Sequence, residues 1–313
     1  MRLVLLGTPP FAIPTFTAIL DSPHTILAAF TQPDKPSGRG GHLHAPPVKQ
    51  LALSRKIPVY QPDKLRRDDW EPFFRSVEAD ALVVVAYGKI LPSWLLEIPD
   101  LGAINLHASL LPRYRGAAPI NWAIVNGESV TGNTTMQIDA AMDTGDILLQ
   151  DPVEIGPGLR AEELHDLLAS RGADLMLRTL ALAERGELQP VRQDPAKASY
   201  APLLKKEDGL LCWEASARSL YNRVRGLNPW PGTCTSLKGE LLRIWNAACK
   251  EAIPASLAPG TLVHDLQEGA LVHCGEGCLQ LLEVQWENRK RISGRDLLNG
   301  LHLKENDPLP LGK

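Results

Sequence analysis

The run Ala81 to Ala86, A-L-V-V-V-A, constrains the fold of this chain more than any other segment. A strand with one wet face alternates polar and apolar residues. A strand that is apolar throughout and rich in β-branched residues is buried on both faces, the usual situation in a parallel sheet covered by helices. Such a sheet needs helical crossovers before and after each strand.

The surrounding sequence supplies them. Arg2 to Leu6 and Ile26 to Phe30 are expected strands, with a helix over Phe11 to Leu20 that carries Pro14 in its first turn. Pro47 to Arg55 and Asp68 to Val77 are expected helices, with a short strand at Ile57 to Tyr60 between them. Further strands are expected at Ala103 to Leu106, Thr134 to Ile138 and Ile147 to Val153, and helices at Ala118 to Val125 and Ala161 to Arg185. This alternation predicts an α/β domain over residues 1–188 with a mostly parallel sheet. Gly7-Thr8-Pro9-Pro10 ends the first strand but lacks the glycines of a dinucleotide fingerprint, which argues against a nicotinamide cofactor.

Residues 189–207 are polar, with Pro190, Pro195, Pro202 and the pair Lys205-Lys206, and are expected to be a linker. Residues 208–313 carry one helical stretch, Ala215 to Arg225, and then short strands at Cys234 to Leu237, Leu241 to Ala247, Gly260 to His264, Ala270 to Cys274 and Cys278 to Val284. That spacing predicts a small β-barrel.

Composition narrows the function. The net charge of −3 provides no global field for nucleic acid or membrane, although a local basic site remains compatible with it. No stretch approaches a membrane span, and the apolar run Leu3 to Leu6 is too short for a signal peptide, so a cytoplasmic protein without membrane contact is expected. All five cysteines fall between Cys212 and Cys278, an odd count that argues against a disulfide framework. His273, Cys274 and Cys278 bracket Gly275 and Gly277, which read as a hairpin turn; with no second ligand pair at zinc-site spacing, no metal is expected.

The chemistry lies in N-L-H-A-S-L-L-P, Asn105 to Pro112, and in D-T-G-D around Asp143. Asn105 and His107 are two apart, so on a strand both point to one face, and they follow the small and apolar residues of a buried strand end. An amine attacking a carbonyl creates an oxyanion. An amide such as that of Asn105 can donate a hydrogen bond to it; His107 can donate another or move a proton; Asp143 can favour a charged imidazole or accept the amine proton. With no G-x-S-x-G elbow and no cysteine in this half, direct attack by the acceptor is expected rather than a covalent enzyme intermediate. Tyr87-Gly88-Lys89-Ile90-Leu91 follows the strongest strand and offers backbone groups beside apolar side chains, which suits a flat heterocycle.

N-L-H-A-S-L-L-P-R-Y-R-G-A-A-P-I with D-T-G-D resembles the folate-dependent formyltransferases. The likeness extends to G-T-P-P-F-A, T-Q-P-D-K-P-S-G-R-G (Thr31 to Gly40), V-A-Y-G-K-I-L-P, N-P-W-P-G and the C-terminal K-R-I-S-G-R-D-L-L-N-G, and so covers essentially the whole chain. The resemblance implies a Rossmann-like formyltransferase domain followed by a small C-terminal OB-like barrel that binds tRNA. It implies 10-formyltetrahydrofolate as co-substrate and, on the Thr31 to Gly40 loop, initiator methionyl-tRNA as the amine acceptor in translation initiation. Asn105, His107 and Asp143 match the family's catalytic residues. Ser109, Leu110, Leu111 and Pro112 match its folate-contacting segment, and Tyr87, Gly88, Lys89, Ile90 and Leu91 its folate-pocket turn. Arg39 matches an arginine that meets the tRNA acceptor end, and Lys205 and Lys206 resemble linker residues that touch tRNA phosphates. A monomer is expected.

Three alternatives remain open at this level. A nucleotide-sugar N-formyltransferase shares N-x-H, S-L-L-P and P-W-P-G; a formyltetrahydrofolate hydrolase would use water as acceptor; a non-catalytic RNA-binding module could retain the fold. The S-G-R-G loop argues against the first, and the intact Asn105, His107 and Asp143 set against the last. Residues 208–313 hold twelve basic and twelve acidic side chains, less basic than an RNA binder suggests.

Overall fold

β1 (Arg2–Gly7) is the axis around which the first half is wound. After it come α1 (Ala12–Leu20), β2 (Thr25–Phe30), β3 (Lys35–Ser37), β4 (His42–His44), α2 (Pro47–Ser54), β5 (Val59–Tyr60) and α3 (Arg67–Val77). Then come β6 (Ala81–Val85), α4 (Ser93–Leu96), β7 (Ala103–His107), β8 (Arg115–Gly116), α5 (Pro119–Val125), β9 (Val130–Gln137), β10 (Ile147–Glu154), α6 (Ala161–Glu184) and β11 (Tyr200–Ala201). The computed structural model describes residues 1–37, 42–250, 257–304 and 307–312, without the side chains of Ser37 and His42. Arg39 lies outside the described residues.

Seven strands form one sheet in the order β10-β9-β7-β6-β1-β2-β5. β5, β2, β1, β6 and β7 run parallel, and β9 and β10 are antiparallel at one edge. β6 is buried at all five positions, as its apolar run requires. The chain builds outward from β1 through β2 to β5, then returns to β1's other side with β6, so the order reverses between β1 and β6. In open α/β sheets the crevice beyond the carboxyl ends at such a reversal is where ligands bind. At that end Gly7 is opposite Val85, and a Cβ at Gly7 would stand 2.6 Å from Phe16 Cε2 and 2.8 Å from the Val85 carbonyl, so only glycine fits. Under β2 and β5, Phe30 packs with Tyr60 and Phe74 at ring separations of 5.2 and 5.0 Å; each buried aromatic contributes roughly 1.5–3 kcal/mol by area.

By compactness the chain divides into two units, one of residues 1–119, 130–154 and 165–201, the other of 120–129, 155–164 and 202–313. The stretch whose composition reads as linker is therefore partly structured. Val191 pairs with Ile147, and β11 adds to β8 in parallel register, Tyr200 opposite Arg115 and Ala201 opposite Gly116.

The second unit contains α7 (Ala217–Leu227), β12 (Thr233–Leu237), β13 (Glu240–Lys250), β14 (Thr261–Asp265), β15 (Gly269–His273), β16 (Cys278–Trp286), β17 (Arg291–Ser293), α8 (Gly294–Leu301) and β18 (Leu309–Gly312). Ser216 Oγ accepts from Ser219 N to start α7, and Ser293 with Asp296 forms a capping box on α8. The order β13-β12-β18-β14-β15-β16 closes through the β13–β16 pairing into a six-stranded barrel, with β17 added outside on β16. Leu220, Leu242, Ile244, Leu262, Val272, Leu279 and Val284 fill its core. The sequence reading missed β17, α8 and β18. It is β18, inserted between β12 and β14, that makes the ring complete.

Gly275 and Gly277 form the expected β15–β16 turn, where Cys274 N donates to Gly277 O. None of the cysteines forms a disulfide. Burial pushes the Cys274 thiol up to about 12 and the Cys278 thiol up to about 11. No described helix is long and apolar enough to cross a membrane.

Candidate active site

β7 carries Asn105 and His107 at the carboxyl end of the sheet. Parallel β6 flanks it at Val84, and antiparallel β9 at Met136 and Thr134. Asn105 is half-buried, and among the described residues its side-chain amide has no hydrogen-bond partner. His107, 6% exposed, is held at Nε2 and faces a carboxylate at Nδ1. Nε2 is 2.9 Å from the Tyr114 carbonyl, which can only accept, so Nε2 carries a proton. Nδ1 faces Asp143 Oδ2 at 3.7 Å. In the neutral ring Nδ1 is therefore a bare acceptor beside a carboxylate; in the cation it is a donor. A second hydrogen bond to an oxyanion from this atom requires the charged form.

Asp143 comes to this place through an unusual backbone, φ +55°, in the left-handed region that costs an ordinary residue roughly 1–2 kcal/mol. Gly116 N donates to its Oδ2 at 2.8 Å. Its carbonyl accepts from Gln193 Nε2 at 2.9 Å, and the same nitrogen donates to Gly145 O at 2.7 Å. Gln193 Oε1 in turn accepts from the buried Arg115, Nε at 3.0 Å and Nη2 at 2.7 Å. Tyr114, at φ +59°, donates its N–H to Ser199 Oγ at 2.9 Å. The R-Y-R-G segment thus presents a carbonyl to His107 and an N–H to Asp143, and residues 193–201 hold it from behind. Sequence reasoning assigned no part to Tyr114, Gly116, Gln193 or Ser199. Tyr114 and Gly116 contribute backbone atoms, of which their side chains give no sign, and Gln193 and Ser199 contribute polar side chains that look no different in sequence from solvated ones.

The S-L-L-P segment is a braced loop with a cis Leu111-Pro112 bond. Ser109 is fully buried and its hydroxyl donates to Arg113 O at 2.6 Å, so it is committed within the loop. Thr134 Oγ1 donates to Ser109 O at 2.6 Å and accepts from Leu111 N at 3.1 Å, while Gln150 Nε2 donates to Leu111 O at 2.9 Å. Leu111 is buried; Leu110 and Pro112 are partly exposed.

The turn after β6 alternates. Ala86, Gly88 and Ile90 are exposed, Ile90 at 84%, whereas Tyr87 and Leu91 point inward. The Tyr87 carbonyl accepts from Thr8 Oγ1 at 3.0 Å and Gln32 Nε2 at 3.1 Å, which ties the ends of β1, β2 and β6 together. Burial alone pushes the Tyr87 phenol up to about 12, and its hydroxyl has no partner among the described residues. Lys89 Nζ donates to Pro62 O and Asp63 O at 2.5 and 2.9 Å, so its charge is occupied by backbone, and burial lowers its pKa.

The base of the Thr31 to Gly40 loop is anchored as well. Gln61 Nε2 donates to Gln32 O at 2.8 Å and to Asp34 Oδ1 at 2.7 Å, and Lys49 bonds both Asp34 oxygens. The Lys49 hydrogen bond, followed by that of Gln61, holds the Asp34 carboxyl below its ordinary pKa. In the second unit Lys205 and Lys206 are exposed, but Glu207 and Asp208 follow directly and offset their charge.

Comparison with known proteins agrees with this architecture. A family model described as formyl transferase matches residues 1–180, and one described as formyl transferase, C-terminal domain, matches residues 203–302. A protein of Solibacter usitatus named methionyl-tRNA formyltransferase is 51% identical over 312 residues, covering 100% of this chain and 99% of its own. One of the same name from Acidobacterium capsulatum is 48% identical over 96% of each chain. An N-formyltransferase from Helicobacter canadensis, solved with folinic acid and dTDP-3-aminofucose, superposes with a TM-score of 0.69 at 16% identity over 91% of this chain and 99% of that one, a likeness of fold. With both halves matched in order and relatives that align from end to end, the chain belongs to the formyl transferase family.

Proposed function

We propose that the protein transfers the formyl group of 10-formyltetrahydrofolate to the free amino group of methionyl-initiator tRNA, giving N-formylmethionyl-tRNA. The observation that carries the chemistry is the uncommitted Asn105 amide two residues from His107 on β7, at the carboxyl end of the sheet, with Asp143 facing the His107 ring. The acceptor is supported by the shared name of relatives at 51% and 48% identity across the chain. The residues suit a folate. The turn after β6 leaves Gly88 and Ile90 exposed, and Ile90 offers an apolar side chain against which a flat heterocycle can stack. The folate brings the activated formyl group.

In the reaction the acceptor nitrogen forms a bond to the formyl carbon, and the bond from that carbon to the tetrahydrofolate nitrogen breaks. Asn105 donates to the formyl oxygen as negative charge develops there; a donor of this kind is worth on the order of 10²–10³ in rate. His107, its Nε2 proton held by Tyr114 O, keeps Nδ1 directed toward the reacting atoms and Asp143. Asp143 takes the proton released by the amine, directly or through water, and the leaving nitrogen is protonated in turn. Leu110, Leu111 and Pro112 line the co-substrate site, with Ser109 as the brace of their loop. Arg39, Lys205 and Lys206 are assigned to the tRNA, and the protein acts as a cytoplasmic monomer.

The test is formyl transfer from 10-formyltetrahydrofolate to methionyl-charged initiator tRNA by the wild type and Asn105→Ala. Transfer by the wild type that falls by about two to three orders of magnitude in the variant supports the reading. A folded, folate-binding wild type that formylates an amino sugar and leaves the tRNA untouched refutes it.

A further inference from the structure

We propose that Gln193, in a stretch whose composition reads as a solvated linker, is a positioning residue for formyl transfer: its amide fixes the backbone of Asp143 and so aims the Asp143 carboxylate. The inference rests on the formyl-transfer reading of the site.

Gln193 is 5% exposed, in a run of mostly polar residues. A glutamine amide has one oxygen and two N–H groups, and here each has a defined use. Oε1 accepts from Arg115 Nε and Nη2; the two hydrogens on Nε2 go to the carbonyls of Asp143 and Gly145. The amide cannot be turned over, because the reversed group would set an oxygen against two carbonyls and an NH₂ against a guanidinium. A fully satisfied buried network of this kind is rigid, and partial loss is costly.

The two carbonyls it grips bracket the turn that carries Asp143, whose φ of +55° an ordinary residue leaves unless its surroundings hold it. A Cβ at Gly145 would meet Gln137 O at 1.8 Å, so the far side of the turn is pinned against β9. The near side depends on Gln193 Nε2 and on the Gly116 N–H that Oδ2 accepts. With Nε2 replaced by an acceptor, the Asp143 carbonyl has to turn away, and the 3.7 Å approach of Oδ2 to His107 Nδ1 changes with it. Displacements of about 1 Å in such a constellation cost up to ~10²-fold in rate.

Gln193→Glu keeps size and the bond to Arg115 but sets an anionic oxygen against both carbonyls. Its kcat for formyl transfer is expected to fall by roughly 10- to 100-fold, with KM for both substrates and the affinity for tetrahydrofolate near wild type. On an Asp143→Asn background the same change should have almost no further effect, because a residue that works through Asp143 has nothing left to aim. A second variant, Arg115→Met with Gln193→Met, removes both buried partners together, which keeps the fold free of an unpaired guanidinium. It should lose kcat to a similar extent.

Full kcat in either variant, or an undiminished effect of Gln193→Glu on the Asp143→Asn background, overturns the role of Gln193 while leaving the reaction intact. Absence of formyl transfer in the wild type overturns the reading of the site and this role with it.

Discussion

The imidazole of His107 stands between a carbonyl and a carboxylate. Tyr114 O holds its Nε2 at 2.9 Å, and Asp143 Oδ2 faces its Nδ1 at 3.7 Å. The first contact sets the tautomer, and the second decides what the free nitrogen does. Asp143→Asn keeps an oxygen to accept from Gly116 N and removes the charge. It should lower kcat by about 10²- to 10⁴-fold, the range of general acid–base contributions, and leave tetrahydrofolate affinity unchanged. Single-turnover transfer and a folate titration measure the two quantities separately.

Gly116 is at φ +118°, and a Cβ there would be 2.7 Å from the Ala201 carbonyl. Gly116→Ala is expected to push β8 off β11 and draw the Gly116 N–H away from Asp143. The cost should be about 1–3 kcal/mol of stability together with a loss of kcat greater than about tenfold. Urea unfolding with steady-state rates on the same preparation checks both; an alanine variant with wild-type turnover contradicts the dependence of Asp143 on this N–H.

Tyr87 buries a hydroxyl that has no partner among the described residues. Tyr87→Phe removes an unsatisfied group at almost constant volume, so stability should rise by about 1 kcal/mol with tetrahydrofolate affinity unchanged. A fall in folate affinity in the phenylalanine variant would instead assign the hydroxyl to the ligand.

The barrel should weaken in alkali. Cys274 and Cys278 have pKa values raised from 9.0 to about 12 and about 11 by burial, so the folded barrel holds their protons more tightly than the unfolded chain. Their contribution is complete below the unfolded pKa, declines as pH rises past it and is lost by the time pH passes the folded values. The slope is at most about 1.4 kcal/mol per pH unit for each thiol. Denaturation at about pH 8 and about pH 10 should show a smaller drop for Cys274→Ala with Cys278→Ala than for the wild type.

Lys205→Ala with Lys206→Ala should raise KM for charged tRNA several-fold and flatten its salt dependence, with kcat for saturating tRNA preserved, since phosphate contacts position the acceptor without touching the chemistry. Equal KM for variant and wild type at low salt would return both lysines to the solvated surface.

The parallel strands were legible because burial on both faces leaves a composition that nothing else explains, as at Ala81 to Val85. Asn105 and His107 were legible because a two-residue spacing on a strand fixes a common face. Gln193 was not, since a glutamine among prolines and charges looks the same whether its amide meets water or two carbonyls. Ser109 shows the converse: a hydroxyl in a recognisable segment is spent on Arg113 O, which only coordinates reveal. β18 was missed because Leu309-Pro310-Leu311-Gly312 is four residues long and contains a proline, tolerated there because each strand pairing it makes is only two residues long.

That short strand gives the barrel an order of assembly. While the chain is being made, Ser236 and Leu237 of β12 and Thr261 and Leu262 of β14 are on hand before Leu309 to Gly312 exists to bridge them. Ring closure therefore waits for β18 to be synthesised, and a chain cut short of it would leave parts of β12 and β14 as open strand edges, which makes this a sensitive place for any truncation.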